Sequence, residues 1–193
     1  MSVVNRERVL RAATSSFLAR GYRSSVDQIA RRAGVAKQTV YHHFPSKDEL
    51  FKEVARDLAK RVLIELESEP QDVRKALLRF ALAYRQRVLG AQGIATFRSV
   101  VPEVTRFPAL ARAMYNGGAG VLVQRLAKYL DEVMEAGRMR RDDPELAAEL
   151  LLGMLVGHDR IKRLFGVTSN GTNGSESRRT ARIVDCFLRA YSS

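Results

Sequence analysis

The chain has 193 residues, of which 46% are hydrophobic and one is a cysteine, and its formal net charge is +12. One cysteine excludes an intrachain disulfide framework and fits a reducing cytoplasm. No apolar run approaches the roughly 18 residues that a membrane span needs. Residues 1–61 hold 13 Lys and Arg against 6 Asp and Glu (net +7), and the rest holds 20 against 15 (net +5). This denser positive charge at the amino-terminal end favours a polyanionic partner there.

Residues 25–44 have the pattern of two short helices joined by a tight turn. Ser25 and Gln28 form a capping-box pair at the start of the first helix. Gly34 can adopt the positive φ that a sharp helix stop requires. In the second helix Ala36, Val40 and Phe44 recur every fourth residue, so we expect all three to point inward.

That arrangement leaves a polar face exposed near the start of the second helix. Its members are Lys37, Gln38, Thr39, Tyr41 and His42. Donors and acceptors on such a face are what the major groove of DNA accepts, so the pattern predicts a helix-turn-helix whose second helix is the recognition helix. A helix over about residues 6–20 precedes it, Pro45 ends it, and a second capping box, Ser46 to Glu49, opens a long amphipathic helix.

This region resembles the DNA-binding domain of the TetR family of bacterial transcription regulators. The likeness rests on Phe17, Gly21-Tyr22, Ser25-Val26, Ile29-Ala30, Ala33-Gly34-Val35, Thr39 to Phe44, Lys47 and Leu50. Further along, the segment 101–110 resembles the regulatory domain of the AefR-like subgroup. The resemblance implies a homodimer formed through the last two helices and a small-molecule effector bound between the middle helices.

The rest of the chain is predicted to be helical. We expect a helix from Pro70 to Val88, broken by Gly90 and Gly93, then a short segment containing Pro102. A long helix from Pro108 to Gly137 carries three glycines, at 117, 118 and 120, which mark a bend or a close helix contact. Asp143-Pro144 opens the next helix. Residues 166–177 are expected to form a flexible loop by composition.

The last two helices have the composition of an oligomer interface. The helix after Pro144 is apolar around most of its circumference, which favours burial of one face by another subunit. The predicted interface residues are Leu146, Leu150, Gly153, Met154, Gly157, Ile161, Ile183, Phe187 and Tyr191. The alternative is that these helices are only the core of a monomer.

A two-fold dimer would place two recognition helices in successive major grooves of a near-palindromic operator, about 34–36 Å apart. Lys37 and Gln38 suit base edges, and Thr39, Tyr41, His42 and Lys47 suit phosphates, together with the helix start capped by Ser25. The alternative for Tyr41 is packing on Lys47. A set of residues in the middle helices has the composition of a small-molecule pocket, although ordinary core is the better interpretation for any single one: Tyr84, Val88, Phe97, Val101, Met114, Tyr115, Leu122, Met154 and His158. The resemblance to the TetR family implies that the effector is apolar or aromatic.

No enzyme motif, cofactor motif or metal-ligand spacing is present, and Cys186 is expected to be a small buried hydrophobe. The sequence therefore predicts an all-α, cytoplasmic DNA-binding regulator of about nine helices. Residues 1–61 would form a three-helix helix-turn-helix domain and residues 62–193 a helical effector-binding and dimerisation domain. A repressor released by its effector is the preferred function. An architectural or nucleoid DNA-binding protein without effector control, and a partner-recruiting activator, remain alternatives.

Overall fold

A computed structural model describes residues 2–67, 72–105, 108–167 and 173–192. Within this part the regular secondary structure is helical, as predicted. Ten α-helices follow one another: α1 Ser2–Arg20, α2 Val26–Ala33, α3 Lys37–His43, α4 Lys47–Glu67, α5 Val73–Leu89, α6 Ala91–Val100, α7 Pro108–Met114, α8 Gly120–Glu135, α9 Pro144–Leu164 and α10 Asn173–Ala190. A π-helical turn, Tyr115–Ala119, joins α7 to α8. If α7, the π-helical turn and α8 are counted as one continuous helix, the described residues form nine helices. The all-α prediction is confirmed.

The helices group into two compact units. The first consists of Met1–Ala59 and Ala91–Val121, and the second of Lys60–Gly90 and Leu122–Ser193. The predicted boundary at 61/62 lies two residues from the first division. However, the residues after it do not form one contiguous unit, because Ala91–Val121 packs with the amino-terminal helices. The assignment of DNA binding to residues 1–61 and of effector binding and dimerisation to residues 62–193 stays a prediction.

The core of the first unit brings together apolar residues of α1 to α4 and α6. Its fully buried members include Val9, Phe17, Ile29, Val40, Phe44, Leu50 and Val100. The ring of Phe51 meets those of Phe17 and Tyr22 edge to face, with centroids 4.8 and 5.5 Å apart. These contacts fix α1 and α4 around the short helices α2 and α3.

Several predicted helix ends differ from the structure. The helix expected from Pro70 begins at Val73 with Asp72 as its N-cap, and Pro70 itself lies outside the described residues. Gly90 ends α5 as predicted, but Gly93 lies inside α6, where a single glycine is tolerated because packing outweighs its propensity. The loop predicted for 166–177 is too long, since α10 already begins at Asn173.

The second unit contains a buried arginine. The side chain of Arg85 on α5 is only 5% exposed, and its guanidinium contacts Asp159 of α9 at 2.8 Å and Glu176 of α10 at 2.6 Å. It also donates to the carbonyl oxygen of Leu155. Burial alone would raise the pKa of Asp159, but hydrogen bonds and charges from Arg85 and Arg179 lower it below its usual value. One charged cluster thus joins three helices.

Helix α9 is interrupted at Gly157, whose φ of 31° and ψ of −131° are not helical. This position lies between Leu155 and Asp159, both of which Arg85 contacts.

Among the described residues, no helix is both long and apolar enough to cross a membrane.

The glycines of the π-helical turn lie against α4, as the prediction of a close helix contact required. A Cβ on Gly117 would come within 2.5 Å of the carbonyl oxygen of Lys52, whereas a Cβ on Gly118 would lie 3.8 Å from that of Ala55, an ordinary contact. Of these two glycines, Gly117 is the one that requires the absence of a side chain, because backbone atoms of α4 occupy the space.

We expect Gly117→Ala to lower the free energy of unfolding by about 1–3 kcal/mol, the usual cost of forcing an extra methyl group into a packed contact. Gly118→Ala is the matched control, and it should be neutral or stabilising by up to about 1 kcal/mol through helix propensity. Urea unfolding followed by circular dichroism measures both. Equal stability of the two variants would contradict the contact.

Candidate nucleic-acid interface

The start of α2 carries the predicted capping box. The hydroxyl oxygen of Ser25 accepts from the amide of Gln28 at 3.2 Å, and the Gln28 side chain accepts from the amide of Ser25 at 3.3 Å. Because the first amides of a helix have no intrahelical partner, those of Val26 and Asp27 are the ones left for an anion at this end. The contact of Ser25 with a phosphate stays a prediction, and its hydroxyl group still has a hydrogen to donate.

The turn between α2 and α3 is closed by Gly34, which has φ 66° and ψ 40°. Its amide donates to the carbonyl of Arg31, and the amide of Val35 donates to that of Ala30, both at 3.1 Å. This left-handed cap stops α2 and lets the chain turn directly into α3.

Helix α3 exposes one face and buries the other. Val40 and Phe44 are 1% and 2% exposed, as predicted, but Ala36 is exposed. Ala36 is the N-cap of α3, with extended backbone angles, so it precedes the helix and does not share its inward face. Of the predicted contact residues, Lys37, Gln38, Tyr41 and His42 are exposed, and Thr39 is half-buried. The structure thus brings the predicted contact residues of α3 to one surface, and their individual roles stay predictions.

Lys37 is held by an acidic neighbour. Its ammonium lies 3.0 Å from a carboxylate oxygen of Asp27, which is in the first turn of α2. The hydrogen bond from Lys37 to Asp27, with the carboxylate's charge, raises the pKa of the lysine. Both side chains are more than half exposed, so this pair can exchange for another partner at little cost.

Lys47 packs on a different ring from the one considered in the sequence. Its ammonium lies 4.0 Å from the ring centre of Tyr22, not over Tyr41, and the Tyr22 hydroxyl donates to Asp48. Burial lowers the pKa of Lys47, and the charge of Asp48 opposes this shift. Burial and the hydrogen bond to Asp48 raise the pKa of Tyr22. The start of α4, capped by Ser46, thus carries a lysine oriented by a cation–π contact.

The predicted effector residues are divided between the two units. Phe97, Val101, Met114 and Tyr115 belong to the first, and Tyr84, Val88, Leu122, Met154 and His158 to the second. Met114 packs on the core of the first unit, and Tyr84 is buried with its ring stacked on that of Phe80 at 5.8 Å. Burial raises the pKa of Tyr84, against the charge and hydrogen bond of Arg160. Val101, Tyr115, Met154 and His158 are exposed. The pocket stays a prediction.

The predicted interface residues fall into two groups. On α9 an apolar face is exposed: Leu146, Leu150, Gly153, Met154, Gly157 and Ile161. On α10, Ile183 is half-buried, but Phe187 and Tyr191 are buried within the protomer, with their rings 4.7 Å apart. The assignment of these two to an interface is corrected, because intrachain packing covers their side chains. Phe165, 80% exposed, extends the α9 face beyond the predicted set.

Two further observations concern chemistry outside these sets. Cys186 is exposed, with its sulfur 3.0 Å from the guanidinium of Arg189, so the prediction of a buried cysteine was wrong. Within the described ranges, no group of three or more His, Cys, Asp or Glu could hold a metal ion. The contact of Tyr22 with Lys47 was not predicted, although the Gly21-Tyr22 pair carried part of the resemblance. The role of Arg85 was missed as well, because Arg79 and Arg87 lie close to it in the sequence and no local pattern distinguishes the buried arginine from its neighbours.

Comparison with known proteins agrees with this geometry. Residues 9–54 match the model of bacterial regulatory proteins of the TetR family, and residues 75–193 match the C-terminal domain of AefR-like transcriptional repressors. The uncharacterized HTH-type transcriptional regulator YdgC of Bacillus subtilis is 28% identical over 79% of this chain and 78% of its own. Another B. subtilis regulator, YhgD, is 40% identical, but that match spans only about a third of either chain.

Solved structures give the same family over nearly the whole length. The flavonoid-responsive regulator FrrA is 31% identical, covers 97% of each chain and has a TM-score of 0.73. A protein from Mesorhizobium loti assigned to the TetR family is 28% identical, with a TM-score of 0.80 over 100% of this chain and 99% of its own. Members of this family are DNA-binding transcription regulators, a class distinct from enzymes. With its exposed α3 face and matches to both halves of the family pattern, the chain belongs to the TetR family of bacterial transcription regulators.

Proposed function

We propose that this regulator is a cytoplasmic homodimeric repressor that binds a near-palindromic operator and leaves it when a small apolar or aromatic effector binds. The observation that carries the proposal is the polar face of α3, which stands exposed over the buried side chains of Val40 and Phe44. A face of lysine, glutamine and tyrosine on a helix held from behind has the donors and acceptors that base edges and phosphates require.

Within that face, Lys37 and Gln38 are proposed to contact base edges. Lys37 can pair with guanine once it exchanges Asp27 for the base, and Gln38 can pair with adenine. Thr39, Tyr41 and His42 are proposed to contact the backbone, together with Ser25 and the α2 amides. Lys47 is proposed to do the same from the start of α4, because its ammonium is oriented by the ring of Tyr22 and the residue is only half-buried.

The dimer proposal rests on the exposed apolar face of α9. Leu146, Leu150, Met154 and Ile161 are each 41–48% exposed. The first three recur every fourth residue, which places them on one side of α9 before the interruption at Gly157, and Ile161 is exposed after it. An exposed apolar surface of this kind is stabilised when another surface buries it, and the same face of a second copy of the chain can do so across a two-fold axis. Dimers are typical of the family, and a dimer supplies the two recognition helices that a palindrome requires.

The effector proposal rests on the family and on composition. Ligand binding is typical of TetR regulators, and FrrA, the 31% identical relative, is named as flavonoid-responsive. An aromatic effector also suits the methionine and tyrosine content of the middle helices. Its binding would favour a dimer conformation in which the two recognition helices no longer fit the operator, which releases DNA.

The first test concerns the contacts of α3 and α4 with DNA, measured by fluorescence anisotropy on duplexes selected from random sequence. We expect Lys37→Ala to lose about 1–3 kcal/mol of discrimination at one base position, because it removes a base-edge contact. Lys47→Ala should weaken all sequences alike and reduce the salt slope by about one.

Lys128→Ala, which removes an exposed lysine of α8, is the control for the change of net charge. If Lys37→Ala and Lys47→Ala both bind DNA with the affinity and the salt slope of the wild type, the proposed DNA interface is wrong. Equal binding of the selected palindrome and random DNA by the wild type would favour the architectural alternative instead.

The second test concerns oligomeric state. Leu150→Arg places a charge in the centre of the α9 face, so we expect sedimentation velocity to show a species near the 21.6 kDa of one chain, where the wild type shows a dimer. Leu82→Arg is the matched control, because Leu82 is a 37% exposed leucine on α5 outside this face. If the Leu150→Arg variant remains dimeric, the dimer interface is not the apolar face of α9.

The third test concerns the effector. A library of planar aromatic compounds is screened by thermal shift, and we expect an active compound both to raise Tm and to lower operator affinity, because it binds the DNA-free conformation preferentially. The same compound should stabilise Lys37→Ala equally, which separates effector binding from DNA binding. Stabilising compounds that leave operator affinity unchanged would refute release by an effector.

A further inference from the structure

A surface depression between α1 and α2 collects three arginines that the function described above does not use. Its volume is about 320 Å³, and it is lined by Arg8, Arg11, Ala12, Ser15, Arg32 and Ala33. We call this depression the arginine groove. Its floor is formed by the nearly buried methyl groups of Ala12 and Ala33, while the arginines and Ser15 are exposed around it. Small residues between long cationic ones leave room for a ligand to approach the helix surfaces.

The charge of the arginine groove is not neutralised by the protein. In the described part of the chain, Arg8, Arg11 and Arg32 form no ion pair with a carboxylate, whereas Arg6 on the same helix is paired with Glu53 at 2.7 Å. Asp27, the acidic residue of α2, is occupied by Lys37. Three like charges that line one depression without a counter-charge raise the local potential and attract an anion.

The arginine groove lies beside the turn that leads into the recognition helix. The guanidinium of Arg8 is 3.4 Å from the carbonyl oxygen of Gly34, and a Cβ on Gly34 would come within 2.6 Å of that guanidinium. The glycine of the turn thus makes space for Arg8. Gly34 precedes Lys37 by three residues, so their Cα atoms are at most about 11 Å apart. An anion in the groove would therefore lie next to whatever α3 contacts.

We propose that the arginine groove binds the sugar–phosphate backbone of operator DNA, at phosphates that flank the major groove entered by α3. This proposal rests on the proposed function. A major groove about 12 Å wide has a phosphate strand on either side of a helix lying in it. Arginine guanidinium groups and a serine hydroxyl are the donors that bind such phosphates. The regular spacing of charge along a strand suits several arginines in a row better than a single small anion does.

The groove would add a stretch of backbone to those assigned above. Ser25 and Lys47 act at the amino-terminal ends of α2 and α4, whereas Arg32 lies in the last turn of α2, at its other end. The footprint of each protomer would accordingly extend along the operator beyond the base pairs that α3 reads.

The test uses Arg8→Ala, Arg11→Ala, Arg32→Ala and the triple variant in the full-length chain, with Arg125→Ala on α8 as the charge-matched control. Circular dichroism and urea unfolding first establish that each variant is folded like the wild type. The affinity for a duplex selected by the wild type is then measured from 50 to 300 mM NaCl. We expect each single variant to reduce the slope of log K against log salt by about 0.9, and the triple variant by about 2.7.

Preference for the selected duplex over random DNA should not change, because phosphates carry no sequence information. In an ethylation-interference experiment, the flanking phosphates at which ethylation blocks the wild type should no longer do so for the triple variant. Slopes equal to those of the wild type and Arg125→Ala would overturn the proposal.

Two further outcomes are distinct. If the wild type binds no duplex at all, the proposed function fails before any variant is compared. If Lys37→Ala and Lys47→Ala impair binding while the groove variants do not, the proposed function stands and the groove proposal is wrong. Stabilisation of the wild type by inorganic phosphate, lost in the triple variant but without any change in DNA slope, would make the groove a small-anion site and also overturn the proposal.

Discussion

A helix of seven residues is not stable on its own in water, so the orientation of α3 depends on the two side chains that anchor it. Val40 and Phe44 are buried in the core that α1, α2 and α4 form, and the Gly34 turn sets the direction in which α3 leaves α2. Every contact proposed between α3 and DNA follows from this arrangement, because the burial of one side of α3 determines which of its residues face outward. The recognition surface is thus the exposed side of a helix whose other side belongs to the hydrophobic core.

Three of the cationic residues around that surface contact intrachain partners. Lys37 is paired with Asp27, Lys47 lies over Tyr22, and Arg8 contacts the carbonyl of Gly34. Exposed ion pairs contribute about 0–1 kcal/mol, so a phosphate or a base can replace the partner of Lys37 without large cost. Such contacts restrict long side chains to a few conformations before DNA arrives, which reduces the conformational entropy that binding would otherwise lose. These side chains can therefore be oriented before DNA binds and still be available to contact it.

Local patterns predicted the helix-turn-helix well, because caps, the glycine stop and the spacing of Val40 and Phe44 are all determined within a few residues. Ala36 was misplaced because periodicity alone does not show where a helix begins. Phe187 and Tyr191 were assigned to an interface although they pack inside the protomer, since an apolar face in sequence does not reveal its partner. Tyr22 beneath Lys47, Gly117 against Lys52, and Arg8 at Gly34 join residues 25 to 65 positions apart, and no local pattern encodes such contacts. The grouping of Ala91–Val121 with the amino-terminal helices was missed for the same reason.

The buried cation of α5 has a mechanical consequence. An interface of aliphatic side chains tolerates small sliding, because one methyl contact replaces another at similar energy. Arg85 does not allow this: a shift of α5 along α9 or α10 would separate its guanidinium, which is only 5% exposed, from Asp159 or Glu176. We therefore expect these three helices to move as a single block, so that any rearrangement of the second unit has to take place at the edges of that block.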